Sequence, residues 1–272
     1  MANLMVGDRD VRKISIPAKN SHKGQNGILT IIGGSTKYHG APLLAIKAAS
    51  RFVDLLYFHS PEKSNMELLH FLKGHKCTFI GIDAKELDKT IQKSDCVLIG
   101  NGMEINPANK KLLNSLLKKY SKKKKFVLDA GALHMVDKKL LNSNVIITPH
   151  ILEFYALFGK NANKASAPGM AKKYGCIVLL KHPDGDLISD GKSLFINQTG
   201  NEGMTKGGTG DTLAGLCAAL ACKNSLFLAA KCAAYLNGLA GDLLKKERGV
   251  HFDADDLADY FGVAFEMALE KK

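Results

Sequence analysis

Short runs of β-branched and other apolar residues recur along the chain at 28–32, 53–58, 77–80, 96–99, 126–128, 145–148 and 177–180. Each has the length and composition of a strand buried on both faces. Between them, polar and apolar positions alternate with helical spacing at 41–51, 107–120 and 150–158. Strand and helix therefore alternate, which predicts an α/β fold: a central, mostly parallel sheet with helices on both faces. The order changes late in the chain. Runs 186–189 and 193–197 flank Asp190-Gly191 and read as a hairpin. Three helical patterns follow at 211–221, 226–244 and 253–269, with Gly249 as a stop after the second. Residues 1–22 are short, polar and mixed in charge, and read as an N-terminal extension to a single domain at 23–272.

Composition narrows the function classes. With 272 residues and 46% hydrophobic content, the chain can bury a large core without disulfides or structural metal. The stretch before Lys23 lacks the apolar centre of a signal peptide. The most apolar helical pattern is interrupted by Lys231, Asn237 and Asp242, so no membrane span is expected and a cytoplasmic location follows. The six cysteines form no Cys-x-x-Cys pair, and His70 and His75 are poorly spaced to share a helix face. Reduced, buried thiols are the plain reading, and no metal ligand is assigned. The net charge of +12 raises the question of nucleic acid. Much of the excess, however, lies in Lys118, Lys119 and Lys122 to Lys125, between a helix and a strand, where lysines are usually solvated helix-end groups. No nucleic-acid partner is expected.

In an open parallel sheet, ligands bind beyond the carboxyl ends of the strands. Small residues collect there: Gly33-Gly34-Ser35 with Gly40-Ala41-Pro42, Gly100-Asn101-Gly102, and Thr148-Pro149-His150 opening a helix. Neither glycine turn has the G-x-G-x-x-G spacing of a dinucleotide fingerprint, and a P-loop is missing. The richest segment runs from Thr199 to Gly215, where Lys206-Gly207-Gly208-Thr209-Gly210-Asp211 leads straight into an apolar helix. Backbone N–H groups at such a helix start, backed by its dipole, cradle a phosphoryl group. Asp211 at the same place is poorly explained as a phosphate binder and well explained as a base for an attacking hydroxyl.

The segment from Asn197 to Gly215 resembles the Gly-Gly-x-Gly-Asp signature of ribokinase-like enzymes. In its longer form it is similar to the ADP/ATP-dependent NAD(P)H-hydrate dehydratases. Lys23-Gly24 through Gly27, Gly33-Gly34-Ser35, Gly40-Ala41-Pro42, Thr148-Pro149-His150 with Glu153-Phe154, and Ala234 to Asp242 agree with that family in order. The resemblance implies nucleotide-dependent removal of water from hydrated NADH or NADPH, with ADP favoured over ATP and Mg²⁺ on the nucleotide phosphates. It implies Asp211 as the catalytic base, and Ala41, Gly102, His150 and Asp211 as contacts to the hydrate. For the nucleotide it implies Lys181, His182, Pro183, Asp184 and Gly185 together with Gly207, Gly208, Thr209 and Gly210. On local grounds alone His150 is equally a helix cap. Self-association and a separate epimerase protein are left open. Three departures stand out: Asn101 and Met103 where the family reads G-P-G-L-G, Gly131 where D-A-D-A-L is common, and a longer run from Lys181 to Asp186. Two other readings share the glycine loop: a kinase for a vitamin-precursor alcohol, and a non-catalytic nucleotide-binding regulator.

Overall fold

Strands form where apolar runs can be covered from both sides. The computed structural model describes residues 4–72 and 78–270. In it β2 (Ile28–Ile32), β5 (Cys96–Ile99) and β8 (Ile177–Leu180) coincide with their runs. The strands β3 (Leu55–His59), β6 (Lys125–Leu128) and β7 (Val145–Ile147) differ by a residue or two at their ends. Cys77 and His75 lie outside the described residues, and of the described residues of the run beginning at Cys77, Ile80 joins the sheet in β4 (Ile80–Gly81). The expected hairpin is β9 (Asp186–Ser189) with β10 (Leu194–Asn197), antiparallel, with Gly191 at φ 82° in its turn.

The sheet has ten strands in the order β1-β10-β9-β8-β7-β6-β5-β2-β3-β4, where β1 is Leu4–Met5. Apart from the antiparallel pairings of β9 with its two neighbours, the strands run parallel. Successive strands progress one way from β5 and the other way from β2. The switch between these two adjacent strands is where such a sheet opens a crevice.

Strand residues alternate between two helical layers, as the pleat requires. Cys96 and Leu98 face one core and Val97 and Ile99 the other. The first layer holds α1 (Asp8–Val11), α2 (Gly40–Ala49), α9 (Thr209–Lys223), α10 (Leu226–Arg248) and α11 (Ala254–Glu270). The second holds α4 (Ala84–Lys93), α5 (Pro107–Tyr120), α6 (Gly131–Met135), α7 (Ile151–Phe158) and α8 (Ser166–Tyr174). A further helix, α3 (Lys63–Leu72), follows β3. The first layer is built from small residues: a Cβ added at Gly215 of α9 would come within 2.3 Å of the Ala45 carbonyl oxygen of α2. That close approach fixes the start of α9, and with it the glycine loop.

The N-terminal residues are more than an extension. The strand β1 pairs in parallel with β10, and Val6, Val11 and Ile14 lie in the first core. Buried Lys231 of α10 donates to Asp10 Oδ1 at 2.6 Å and ties α1 down. The lysine run sits at the opposite end of the sheet from the glycine loop. There Lys125 donates to the Ala221 and Asn224 carbonyls at the C-terminal end of α9, and Lys124 to the Gln92 and Ser94 carbonyls. All five described cysteines are free and buried. No helix among the described residues is long and apolar enough to cross a membrane.

Candidate active site

At the switch point the loop after β5 folds over the end of β2. Gly34 N–H donates to the Asn101 carbonyl at 2.8 Å, and a Cβ at Gly33 would sit 2.4 Å from that same oxygen. The loop also closes against the second layer. A Cβ at Gly131 would meet the Met103 carbonyl at 2.2 Å, and one at Gly100, whose φ is 124°, would meet the Asp129 carbonyl at 2.0 Å. Two departures from the family pattern thus belong together, because no side chain at position 131 is compatible with the path the chain takes through Asn101 and Met103. Between Asp129 and Gly131, Ala130 holds a φ of 47°, the one positive φ at a non-glycine residue among those described. That strain fixes where the strand ends and the Asp129 side chain begins.

Asp129 is the hub of a buried network. Its Oδ1 accepts from Thr148 Oγ1 at 2.7 Å and from Lys181 Nζ at 3.0 Å, and its Oδ2 accepts from Asn101 Nδ2 at 3.0 Å. The other hydrogen of the Asn101 amide goes to Asp211 Oδ1 at 2.7 Å. Glu153 lies 3.9 Å from Lys181 Nζ. Burial works against the Lys181 charge, but the carboxylates of Asp129 and Glu153 outweigh it and hold the ammonium above its usual pKa. Asp211 goes the other way: burial first, then the charge of Asp129, push its carboxyl up to about 6, against the pull of Asn101 and Lys181.

A cavity of about 1010 Å³ opens beside this network, large enough for a nucleotide. Lys181, His182, Pro183, Asp184 and Gly185 line one wall, Thr209 and Gly210 another, and His150 the rim. Lys181 Nζ lies 3.4 Å from where a Cβ on Gly210 would stand, so a side chain there would crowd the ammonium. Gly207 and Gly208 are not part of the lining: Gly207 is exposed, and at Gly208, where φ is 96° and a Cβ would strike Leu44 at 2.5 Å, the chain turns into α9. Ala41 and Gly102 lie outside the cavity wall but against one another, 3.1 Å from the Ala41 Cβ to a Cβ built on Gly102. Asp211 connects the two regions, since Gly210 before it lines the cavity and its partner Asn101 precedes Gly102. His150 is a cap as well as a rim residue: its Nδ1 accepts the Leu152 and Glu153 N–H groups at 3.1 and 3.2 Å, while Glu153 Oε2 accepts the His150 N–H at 2.8 Å.

Sequence reasoning missed the bond between Lys181 and Asp129 and the two-ended bond of Asn101. It also missed Asp186, a cavity residue whose carboxyl burial pushes up to about 6. Asp129 directly follows a strand, and that position was the available signal.

A family model described as NAD(P)H-hydrate dehydratase matches residues 29–262. The bifunctional NAD(P)H-hydrate repair enzyme of Methanocaldococcus jannaschii is 38% identical over 268 residues, 95% of this chain and 52% of that one. The ADP-dependent (S)-NAD(P)H-hydrate dehydratase of Cenarchaeum symbiosum is 35% identical over 280 residues, covering 95% of this chain and 96% of that one. The chain thus spans about half the length of the bifunctional relatives it matches and nearly all of the shorter one. Among solved structures, the ADP/ATP-dependent NAD(P)H-hydrate dehydratase from Bacillus subtilis co-crystallized with ATP/Mg²⁺ superimposes with a TM-score of 0.80 at 24% identity, covering 98% of this chain and 99% of that one. Such a likeness shows the fold, which is ribokinase-like as the glycine loop implied.

Proposed function

Because this chain belongs to the NAD(P)H-hydrate dehydratase family, we propose that it removes water from the hydrates of NADH and NADPH at the expense of a nucleotide phosphate, with ADP the favoured donor. The observation that carries the reading is Asp211: a half-buried carboxylate at the start of α9, its pKa pushed up to about 6, with the nucleotide-sized cavity on one side and the Ala41–Gly102 contact on the other. A base of that pKa accepts a proton at neutral pH without being wholly solvated.

The hydroxyl on carbon 6 of the hydrated ring gives its proton to Asp211 as its oxygen attacks the terminal phosphorus, and the shortened nucleotide leaves. The carbon–oxygen bond of the new phosphate ester then breaks, driven by the ring nitrogen's electron pair. Phosphate departs, and loss of a proton from the adjacent carbon restores the dihydropyridine. Lys181 and the backbone at Thr209 and Gly210 bind and orient the phosphates, and His150 borders the same cavity. Mg²⁺ on the nucleotide would neutralise phosphate charge. Among the described residues no three His, Cys, Asp or Glu side chains are placed to cage a metal, and the carboxylates of Asp129, Asp211 and Glu153 are engaged by Thr148, Asn101 and Lys181. The chain's own part is therefore positioning and proton transfer.

The test is to mix purified protein with hydrated NADH, Mg²⁺ and either ADP or ATP, following the return of NADH absorbance and the release of phosphate. Recovery with ADP, reduced about 10²–10⁴-fold in Asp211→Asn, is the expected result. No recovery with either nucleotide overturns the reading and turns attention to phosphorylation of precursor alcohols.

A further inference from the structure

Asn101 is fully buried, yet among the described residues it is the one group bonded to both Asp129 and Asp211. Its amide orientation is not free. Reversing it would set an oxygen against two carboxylates, so both N–H bonds must point at the acids. In that orientation Oδ1 is left with no hydrogen-bond partner. A buried acceptor without a donor is costly, and a native site tolerates one where function requires it. The backbone is equally constrained: Asn101 sits at the switch between β2 and β5, bonded by the Gly34 N–H and closed in by the tight contact at Gly33.

We propose that Asn101 is a positioning residue, whose amide spans the two acids, keeps them from sharing a proton, and holds the Asp211 carboxylate in its base form and orientation. The proposal rests on the reading of Asp211 as the base. Four groups from four elements face that carboxylate. Asp129 at the end of β6 and Glu153 on α7 favour its protonation, and Lys181 at the end of β8 and Asn101 after β5 oppose it. Of the two opposing groups, Asn101 is the one bonded to it. Lys181 spends its direct contact on Asp129.

Asn101→Ala and Asn101→Leu test this by two readouts. In protein labelled at its aspartate carboxyl carbons, with the Asp211→Asn spectrum assigning the signal, the wild-type Asp211 midpoint is expected near 6 and that of each variant about one pH unit higher. The acid limb of kcat is expected to move by the same amount, while KM for ADP changes less than about twofold, because Asn101 is outside the cavity lining. A folded variant with an unmoved midpoint, or with kcat depressed equally at every pH, overturns the proposal. Should Asn101→Leu fail to fold, Asn101→Ala, which adds no bulk, carries the same two outcomes. The titration needs no substrate. If the wild type restored no NADH, the assignment of the reaction would fall while the titration still judged the bond from Asn101.

Discussion

The pairs Lys231–Asp10 and Lys181–Asp129 have aspartates equally inaccessible at 2% exposure, while Lys231 is buried and Lys181 only partly so. They differ in where they end. Around the first pair, Lys231 lies 4.0 Å from the centre of the Phe195 ring and near Phe227, and Asp10 Oδ2 takes the Gly7 N–H. These contacts are packed core and backbone, and the pair does one thing, which is to fasten the N-terminal turn to α10. Around the second, Asp129 passes its contacts on through Asn101 to Asp211, and Lys181 borders the cavity. A closed pair is structure, whereas an extended one that ends in a carboxylate of raised pKa and an orphaned acceptor is machinery.

The largest expected effect breaks the closed pair. Lys231→Met leaves Asp10 buried, among the described residues, with the Gly7 N–H and the distant, exposed Lys13 at 4.0 Å. An uncompensated buried charge of this kind costs about 3–5 kcal/mol. Chemical denaturation should show that loss at neutral pH, with kcat of the folded fraction unchanged. A fall in kcat at saturating substrate would mean that the N-terminal pin reaches the site after all.

The open network carries a cost in the opposite sense. A carboxyl raised from 3.8 to about 6 binds its proton more tightly in the folded chain. Well below the unfolded value of 3.8 it is protonated in both states and makes no difference. As pH rises through 6 the folded form alone is left with a poorly solvated charge, a penalty on the order of 3 kcal/mol. Asp211→Asn should therefore be more stable than wild type at pH 7.5 by up to about that amount, with the gain vanishing below about pH 3. Melting curves at the two pH values check it. Equal stability at both would show that Asn101 and Lys181 fully compensate the charge.

The contrast also explains which parts were legible in the sequence. Runs such as 96–99 are apolar on both faces, and α5 begins at a proline after an asparagine cap, so local residues suffice to predict them. The glycine loop is legible for the same reason: its conformational demands fall on consecutive residues. The N-terminal segment looked like an appendage because its apolar residues Val6, Val11 and Ile14 are separated by charges. The lysine that neutralises Asp10 is 221 residues away. The network behind Asp211 is just as non-local. Its bonds join residues 28, 52 and 110 positions apart, brought together only by the strand order. Helix α6 escaped notice because it starts from the strained Ala130, which no propensity favours.

The smallest expected stability effect sharpens the comparison most. Lys181→Met breaks an ion pair as buried on the aspartate side as the first. Yet Asp129 keeps the Thr148 hydroxyl at 2.7 Å and the Asn101 amide at 3.0 Å, so its charge remains hydrogen-bonded. The stability loss should then be about 1–2 kcal/mol, well under that of Lys231→Met. The functional loss should be the larger share. Without the ammonium beside Gly210, KM for ADP should rise about tenfold, the usual scale of one charge-assisted contact to phosphate. Asp211 would also lose a neighbouring positive charge, so the acid limb of kcat should shift upward. Denaturation and steady-state kinetics on the same preparation separate these effects. A stability loss equal to that of Lys231→Met with KM unchanged would make both pairs structural, and would leave the backbone at Thr209 and Gly210 to hold the phosphates alone.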